Sequence, residues 1–430
     1  MTQKIPKVAP GAIDGWKQKW YKPTQKTEKF HCHVCQKETS HTLLLGLANE
    51  DTDRVPQNVY RCTICGIIVI VGKKRNYPTG TNNVNRSLYN MPGLEVMNLS
   101  GSLADKYNAK TFLDVGAGFG FATDIAKHAY GLAAEGIEPT EAHEAAKRHF
   151  RASVAQGYMD KKTTMSRKFD YIHSSEVLEH VPDPLEFLQA IYSHLSRNGI
   201  LFLTTPWAGV VDPDNDSGVL IRNLSADDHI YLWNEAAVTK LLKQVGFKKV
   251  YIELRDGHHL YILASKSARR VKFDLSVPDN SDKLLTYMLK RSKTAKSRIA
   301  RLSMLTAAFF MANEKRNYKL CVKLLPKLVR STKRSLGINL KDPSRATAKQ
   351  IEELGDYAPR IAALCYVIST VHILYTADYD KAIEYCELAS RVIKSTKAGT
   401  GYGSYVSTLH GAVLDTLKVA KEHKKRAEKS

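Results

Sequence analysis

The stretch "TFLDVGAGFG" at 111–120 decides the fold. Residues 111–115 are apolar or β-branched except Asp114, which reads as a buried strand, and Gly116, Gly118 and Gly120 then stop it. "FATDIAKHAY" (121–130) follows with helical periodicity. A strand, a glycine loop and a helix open an α/β sheet whose ligands lie beyond the carboxyl ends of its strands. The loop departs from the dinucleotide pattern, because the third position after Gly118 is Phe121 rather than glycine or alanine. Asp114 stands two places before the first glycine, where an acid would serve a phosphate badly and an ammonium group well.

The surrounding sequence alternates strand and helix from about 95 to 265. "LAAEGIEP" (132–139), "KFDYIHSS" (168–175), "GILFLTTP" (199–206), "KKVYIELR" (248–255) and "HHLYILASK" (258–266) read as strands. "TEAHEAAKRHF" (140–150), "PLEFLQAIYSHL" (184–195) and "NEAAVTKLLKQVG" (234–246) read as helices. Glu138 ends the second strand, where a carboxylate accepts hydrogen bonds from ribose hydroxyls. An acid at the loop, close-packed glycines and an acid on strand two suit a nucleoside that bears an amino acid and no phosphate. S-adenosylmethionine is such a ligand.

Over about 105–265 the sequence resembles the class I S-adenosylmethionine-dependent methyltransferases, with "LDVGAGFG", "GIEP", "FDYIHSSEVLEHVPDP" and "GILFLTTP" in family order. The resemblance implies a Rossmann-like seven-stranded sheet. It also implies that Asp114, Gly116, Gly118, Gly120, Glu138 and Ser174 contact the cofactor. After the fourth strand, amino-methylating nucleic-acid enzymes carry Asn/Asp-Pro-Pro-aromatic, whereas this chain has Ser174-Ser175-Glu176-Val177 and no Pro-Cys pair. Methylation of base amines or of a pyrimidine carbon is disfavoured.

"SEVLEHVPDP" (175–184) places Glu176, Glu179 and His180 on one face if the segment is helical, and His229 of "SADDHIYLW" follows on the same rim. Carboxylates and imidazoles together can hold magnesium or another divalent cation. The pattern resembles the Glu-x-x-Glu-His of ubiquinone-pathway O-methyltransferases and of small-RNA 2′-O-methyltransferases. That resemblance implies a hydroxyl acceptor oriented by metal; without metal, His180 or His229 would serve as general base. "VLEHV" also occurs where Glu179 and His180 only brace the loop.

"HCHVC" and "RCTIC" supply Cys32, Cys35, Cys62 and Cys65, two C-x2-C pairs with 26 residues between, the spacing of a closed four-thiolate zinc ribbon. A pair of disulfides is the alternative. Such a ribbon ahead of a class I domain resembles bacterial sugar and glycan methyltransferases. The expected domains are the ribbon module (1–95), the methyltransferase domain (96–266) and a basic all-α domain (267–430). Of the net charge of +21, the chain from Lys266 onward carries 33 Lys and Arg against 15 Asp and Glu, which suits an anionic partner. "NYKLCVKLLPKLV" (317–329) and "DYDKAIEYCELAS" (378–390) repeat one helical pattern, as in tetratricopeptide hairpins or a plain bundle. Cys321, Cys365 and Cys386 fall on apolar helical faces as core residues.

No apolar run approaches the roughly 18 residues of a membrane span, and the N-terminus lacks a hydrophobic signal core, so a cytoplasmic protein without a transmembrane segment is expected. The sequence thus leads to an O-methyltransferase acting on a sugar, glycan or activated sugar. An RNA ribose 2′-O-methyltransferase and a non-catalytic scaffold are the other two readings.

Overall fold

In the computed structural model, residues 16–22, 26–49, 56–72, 89–91, 93–163, 165, 167–224, 228–268, 280–396 and 403–429 are described. The N-terminal stretch 1–15, the start of the Asp-His segment at 225–227 and the domain junction at 269–274 lie outside them. The described residues fall into two units, one within 1–78, 95–146 and 152–280, the other within 79–94, 147–151 and 281–430.

The first unit contains two sheets. An antiparallel sheet is built from β1 (Trp16–Trp20), β2 (Thr27–Cys32), β3 (Lys37–Asn49), β4 (Gln57–Cys62) and β5 (Ile68–Val71). The second sheet follows helix α1 (Leu94–Lys106) and comprises β6 (Thr111–Val115), β7 (Ala133–Glu138), β8 (Val154–Gln156), β9 (Phe169–Ser175), β10 (Leu195–Pro206), β12 (Lys249–Arg255) and β13 (His259–Ser265). Its strand order is β12-β13-β10-β9-β6-β7-β8, parallel from β8 to β10, with β13 antiparallel to β10 and to β12. This is the seven-stranded class I arrangement expected from the sequence. β6 and β9 are neighbours whose onward crossovers leave in opposite directions, which opens a crevice at their carboxyl ends.

Helices α2 (Phe121–Ala129), α3 (Ala142–Phe150), α4 (Pro184–His194), α5 (Ser217–Leu224) and α6 (Glu235–Val245) complete the alternation. Local chemistry sets their ends. The Asp183 carboxylate accepts from Leu185 and Glu186 N–H ahead of Pro184, and Asn234 caps α6, which stops at Gly246 with φ 114°.

The cysteine-bearing sheet is continuous with the rest of this unit. β11 (Tyr231–Leu232), from the segment after β10, pairs with β5. Leu45, Val59 and Ile68 share a core with Val210, Leu220 and Leu232. Cys32, Val34, Cys62 and Ile67 pack in another with Leu113, Leu178 and Trp233.

The second unit is helical: α7 (Ser281–Thr294), α8 (Arg298–Glu314), α9 (Tyr318–Leu336), α10 (Ala348–Glu352), α11 (Ala358–Val371), α12 (Tyr379–Ser395) and α13 (Gly403–Ala427). Cys321, Cys365 and Cys386 are fully buried with Phe309, Leu328, Ile361 and Val392 in its core. The two similar sequence pieces start α9 and α12, where Asn317 and Asp378 each accept from the backbone N–H three residues on. The shared pattern is therefore an N-cap followed by a helix-opening tyrosine.

One expectation is corrected here. Gly355–Thr376 forms a continuous 22-residue helical run whose apolar 18-residue window has a mean hydropathy of 1.3, long and apolar enough by length and composition to cross a bilayer. A 3₁₀ turn, α11 and a π turn join end to end, while Asp356 and Arg360 interrupt the apolar sequence and hide its length. Within that window, 56% of the residues are buried in this structure.

Candidate functional site

The glycine loop sits at the carboxyl end of β6. Gly116, Gly118 and Gly120 have φ of 75°, 50° and 71°, values that side chains adopt with strain. Gly116 is also enforced by space, since a Cβ there would lie 2.4 Å from Val177 Cγ2. Gly118 is different: a Cβ there would meet nothing within 4 Å. The open side of Gly118 is where a ligand can approach the backbone.

Two acids shape this loop. Asp114, 2% exposed, accepts from Thr123 N–H at 3.1 Å and Thr123 Oγ1–H at 2.9 Å, tying strand β6 to the first turn of α2. Burial pushes its carboxyl up to about 7 against those two bonds. The Glu138 carboxylate accepts from Gly118 N–H at 2.9 Å and from both donors of Thr140, so it stands directly against the loop's open glycine. Ser174 is buried in β9, one residue past His173, which pairs with Asp114 across β6 and β9. A glycine with open space, a carboxylate at its amide and, among the described residues, no cationic side chain bonded to either fit a nucleoside with an amino-acid arm better than a pyrophosphate.

After β9 the chain turns instead of forming a helix, which corrects the one-face geometry expected for 176–180. Glu176 has φ 55°, and its N–H donates to Thr204 O at 3.1 Å. Its carboxylate accepts from Thr204 Oγ1–H at 2.8 Å and faces His259 Nε2 at 3.5 Å. His259 was not singled out in the sequence; it begins β13, and the antiparallel hairpin carries it to this rim opposite Pro206. Partial burial works against a charge on His259, but the Glu176 carboxylate outweighs it and raises the imidazole pKa.

Glu179, His180 and His229 do come together, their ligand atoms all within 4.8 Å of one another; Glu176 falls outside that group. His180 Nδ1 lies 3.2 Å from Asp228 O, and His229 Nδ1 lies 2.7 Å from Asn223 O. A carbonyl only accepts, so each Nδ1 carries the proton and each ring turns Nε2 toward Glu179. The Nε2 atoms stand 3.7 and 4.0 Å from Glu179 Oε1. Glu179 is fully buried; Oε2 accepts from Thr205 at 3.0 Å, while Oε1 accepts no hydrogen bond from the described residues. Burial, then the Glu176 charge, pushes this carboxyl up. A buried oxygen without a donor, flanked by two imidazole nitrogens, has the donor set of a cation site with room for outside ligands.

The four ribbon cysteines also converge, with all sulfurs within 4.8 Å of one another and Cys32 Sγ 3.6 Å from Cys65 Sγ. None is in a disulfide. Tetrahedral thiolates at about 2.3 Å from zinc stand roughly 3.8 Å apart, so the quartet fits that ion and closes its coordination.

Residues 95–252 match the family model described as a methyltransferase domain. The chain is 35% identical over 107 residues to the ubiquinone biosynthesis O-methyltransferase of Actinobacillus pleuropneumoniae, covering 22% of this chain and 45% of that protein. It is 35% identical over 126 residues to the protein of the same name from Histophilus somni, covering 25% and 52%. The chain thus spans about half the length of the curated relatives it matches. Among solved structures it is similar to an O-methyltransferase family protein from Burkholderia thailandensis, at 15% identity and a TM-score of 0.34, over 44% of this chain and 60% of that one.

Proposed function

We propose that this chain is an S-adenosylmethionine-dependent O-methyltransferase whose acceptor hydroxyl is held at Glu179, His180 and His229 with a divalent cation. The observation that carries the reading is Glu179 Oε1, buried without a hydrogen-bond donor between two imidazole nitrogens on the rim beside the glycine loop. Its support from relatives is the name O-methyltransferase borne by the curated proteins that match.

The chain's residues divide the work. Gly118 gives the cofactor access to the backbone, and Glu138 stands ready to exchange its Gly118 and Thr140 bonds for ribose hydroxyls. Asp114 keeps the loop registered on α2 and offers negative charge to the cofactor's ammonium. Carbonyls of Asp228 and Asn223 fix the tautomers of His180 and His229, and Thr205 orients Glu179. A divalent cation bound by these three side chains would lower the pKa of a coordinated hydroxyl and orient it. In-line attack of that oxygen on the methyl carbon would break the carbon–sulfur bond and leave a neutral thioether; with both Nε2 atoms committed to the cation and both Nδ1 atoms already protonated, the hydroxyl proton would pass to water.

The finer reading is a sugar hydroxyl, of a glycan or an activated sugar, chosen because a ribbon-plus-sheet arrangement resembles glycan methyltransferases. The four-thiolate zinc, closed to substrate, would hold the fold. The decisive experiment combines calorimetry with S-adenosylmethionine and transfer of labelled methyl to sugar, RNA and catechol hydroxyls, before and after a chelator. Cofactor binding with chelator-sensitive transfer supports the reading. Transfer indifferent to chelator removes the cation, and absence of cofactor binding leaves the scaffold reading.

A further inference from the structure

The helical unit segregates its charge. Residues 281–334 hold 15 Lys and Arg against only Asp282 and Glu314, whereas 335–430 hold 14 against 11. Ion pairing follows the same division. Beyond α9 the cations meet acids repeatedly, as in Arg345–Asp342 at 3.2 Å, Lys381–Glu384 at 2.8 Å and Lys424–Asp380 at 2.6 Å. On α7 to α9, Lys315 takes Asp282, one of the two acids of that stretch.

α9 concentrates this excess on one face. Lys319, Lys323, Lys327, Arg330 and Arg334 recur at intervals of four, four, three and four residues, with Lys333 beside them, and the helix has no acidic residue. The opposite face, Cys321, Leu324, Leu328 and Thr332, is buried, so the cations cannot rotate inward. Five of the six are exposed. Lys327 reaches toward Ser292 of α7 at 3.4 Å, and burial together with the Lys293 charge lowers its pKa. Like charges from α7 and α9 therefore meet on one surface, and α9 itself supplies no acid to relieve them.

We propose that the outward face of α9, with Lys293 of α7, binds the phosphodiester backbone of a nucleic-acid strand. The spacing suits a linear polyanion: residues 319 to 334 span about 22 Å of helix, against one phosphate per roughly 3.4 Å of a duplex strand. Arg330 and Arg334 add planar donors that match phosphate oxygens two at a time. A bilayer is the less suited partner, because the large exposed apolar side chains of this unit, Leu374, Tyr375, Leu414 and Val419, all lie outside α7 to α9. RNA and DNA share the recognised chemistry, and binding stands apart from whether the same molecule accepts a methyl group.

The test is fluorescence anisotropy of the full chain with labelled 20-nucleotide oligo-U RNA and oligo-dT DNA, and co-sedimentation with vesicles containing anionic lipid. Binding to either strand should weaken with salt at a log–log slope of about −3 to −4, from four to six neutralised phosphates on a single strand. The variant K319E/K323E/R330E/R334E should lose at least about 30-fold in affinity and most of that slope. A K319Q/K323Q/R330Q/R334Q variant decides the matter if the charge-reversed chain fails to fold by circular dichroism. RNA preferred over DNA, or both bound alike, supports the proposal. No binding to either at 50 mM salt, equal binding by the glutamine variant, or capture by vesicles alone overturns it.

Discussion

The two clusters of side chains in the sheet unit that could hold a metal ion differ in the way they meet their surroundings. The four cysteines are closed: soft thiols converge around one centre with no position left over, and their neighbours Val34 and Ile67 belong to the core. Glu179, His180 and His229 are open: three donors converge, one buried oxygen lacks a hydrogen-bond donor, and His180 is a third exposed. A closed site converts binding energy into folding, while an open one leaves binding energy for a substrate.

The largest way to break this contrast is Cys62→Ser. Losing one of four thiolates should release zinc and lower the melting temperature by at least about 10 °C, read by metal analysis and calorimetry. A stable, metal-free variant would show that the quartet is not structural. Next comes Glu179→Gln, which should cut methyl transfer by about 100-fold or more yet leave the metal-free protein as stable or a few degrees more so, because a buried carboxylate oxygen without a donor costs about 1–3 kcal/mol. A large loss of stability there would move Glu179 to the structural side.

Gly118→Ala sharpens the contrast between fold and ligand at the glycine loop. With open space around its Cβ but φ at 50°, it should cost about 1 kcal/mol of stability and weaken S-adenosylmethionine binding about tenfold by calorimetry. Unchanged affinity would place the cofactor elsewhere. Asp114→Asn gives the smallest effect. A folded pKa raised to about 7, above the ordinary carboxyl value near 3.9, stabilises the protein most below about pH 4 and loses that contribution as pH climbs toward 7. The asparagine variant, still able to accept from Thr123, should flatten the fall in melting temperature between pH 4 and 7 by a few degrees.

The sheet was legible because strong local signals mark it: a hydrophobic strand ending in glycine, alternating helices, acids at strand ends. The cysteine spacing was equally direct. What periodicity could not reveal depends on tertiary placement. β11 is two residues long, too short to show any pattern, yet it joins the cysteine-bearing sheet to the segment after β10. The positive φ of Glu176 swings its carboxylate to Thr204 and His259, a departure that a helical spacing rule cannot see. His259 reaches the rim only because the last hairpin runs antiparallel, although the adjacent pair His258-His259 at a strand start was a visible hint.

The short pairing of β5 with β11 bears on how this chain can be cut. Ile70 N–H bonds Ile230 O at 2.9 Å, Ile230 N–H bonds Glu179 O at 2.7 Å, and His229 is the next residue along. A fragment begun at residue 95 would therefore lose the strand that helps to seat His229, so the cysteine-bearing segment is an internal wall of the Glu179–His180–His229 cluster and not a detachable prefix.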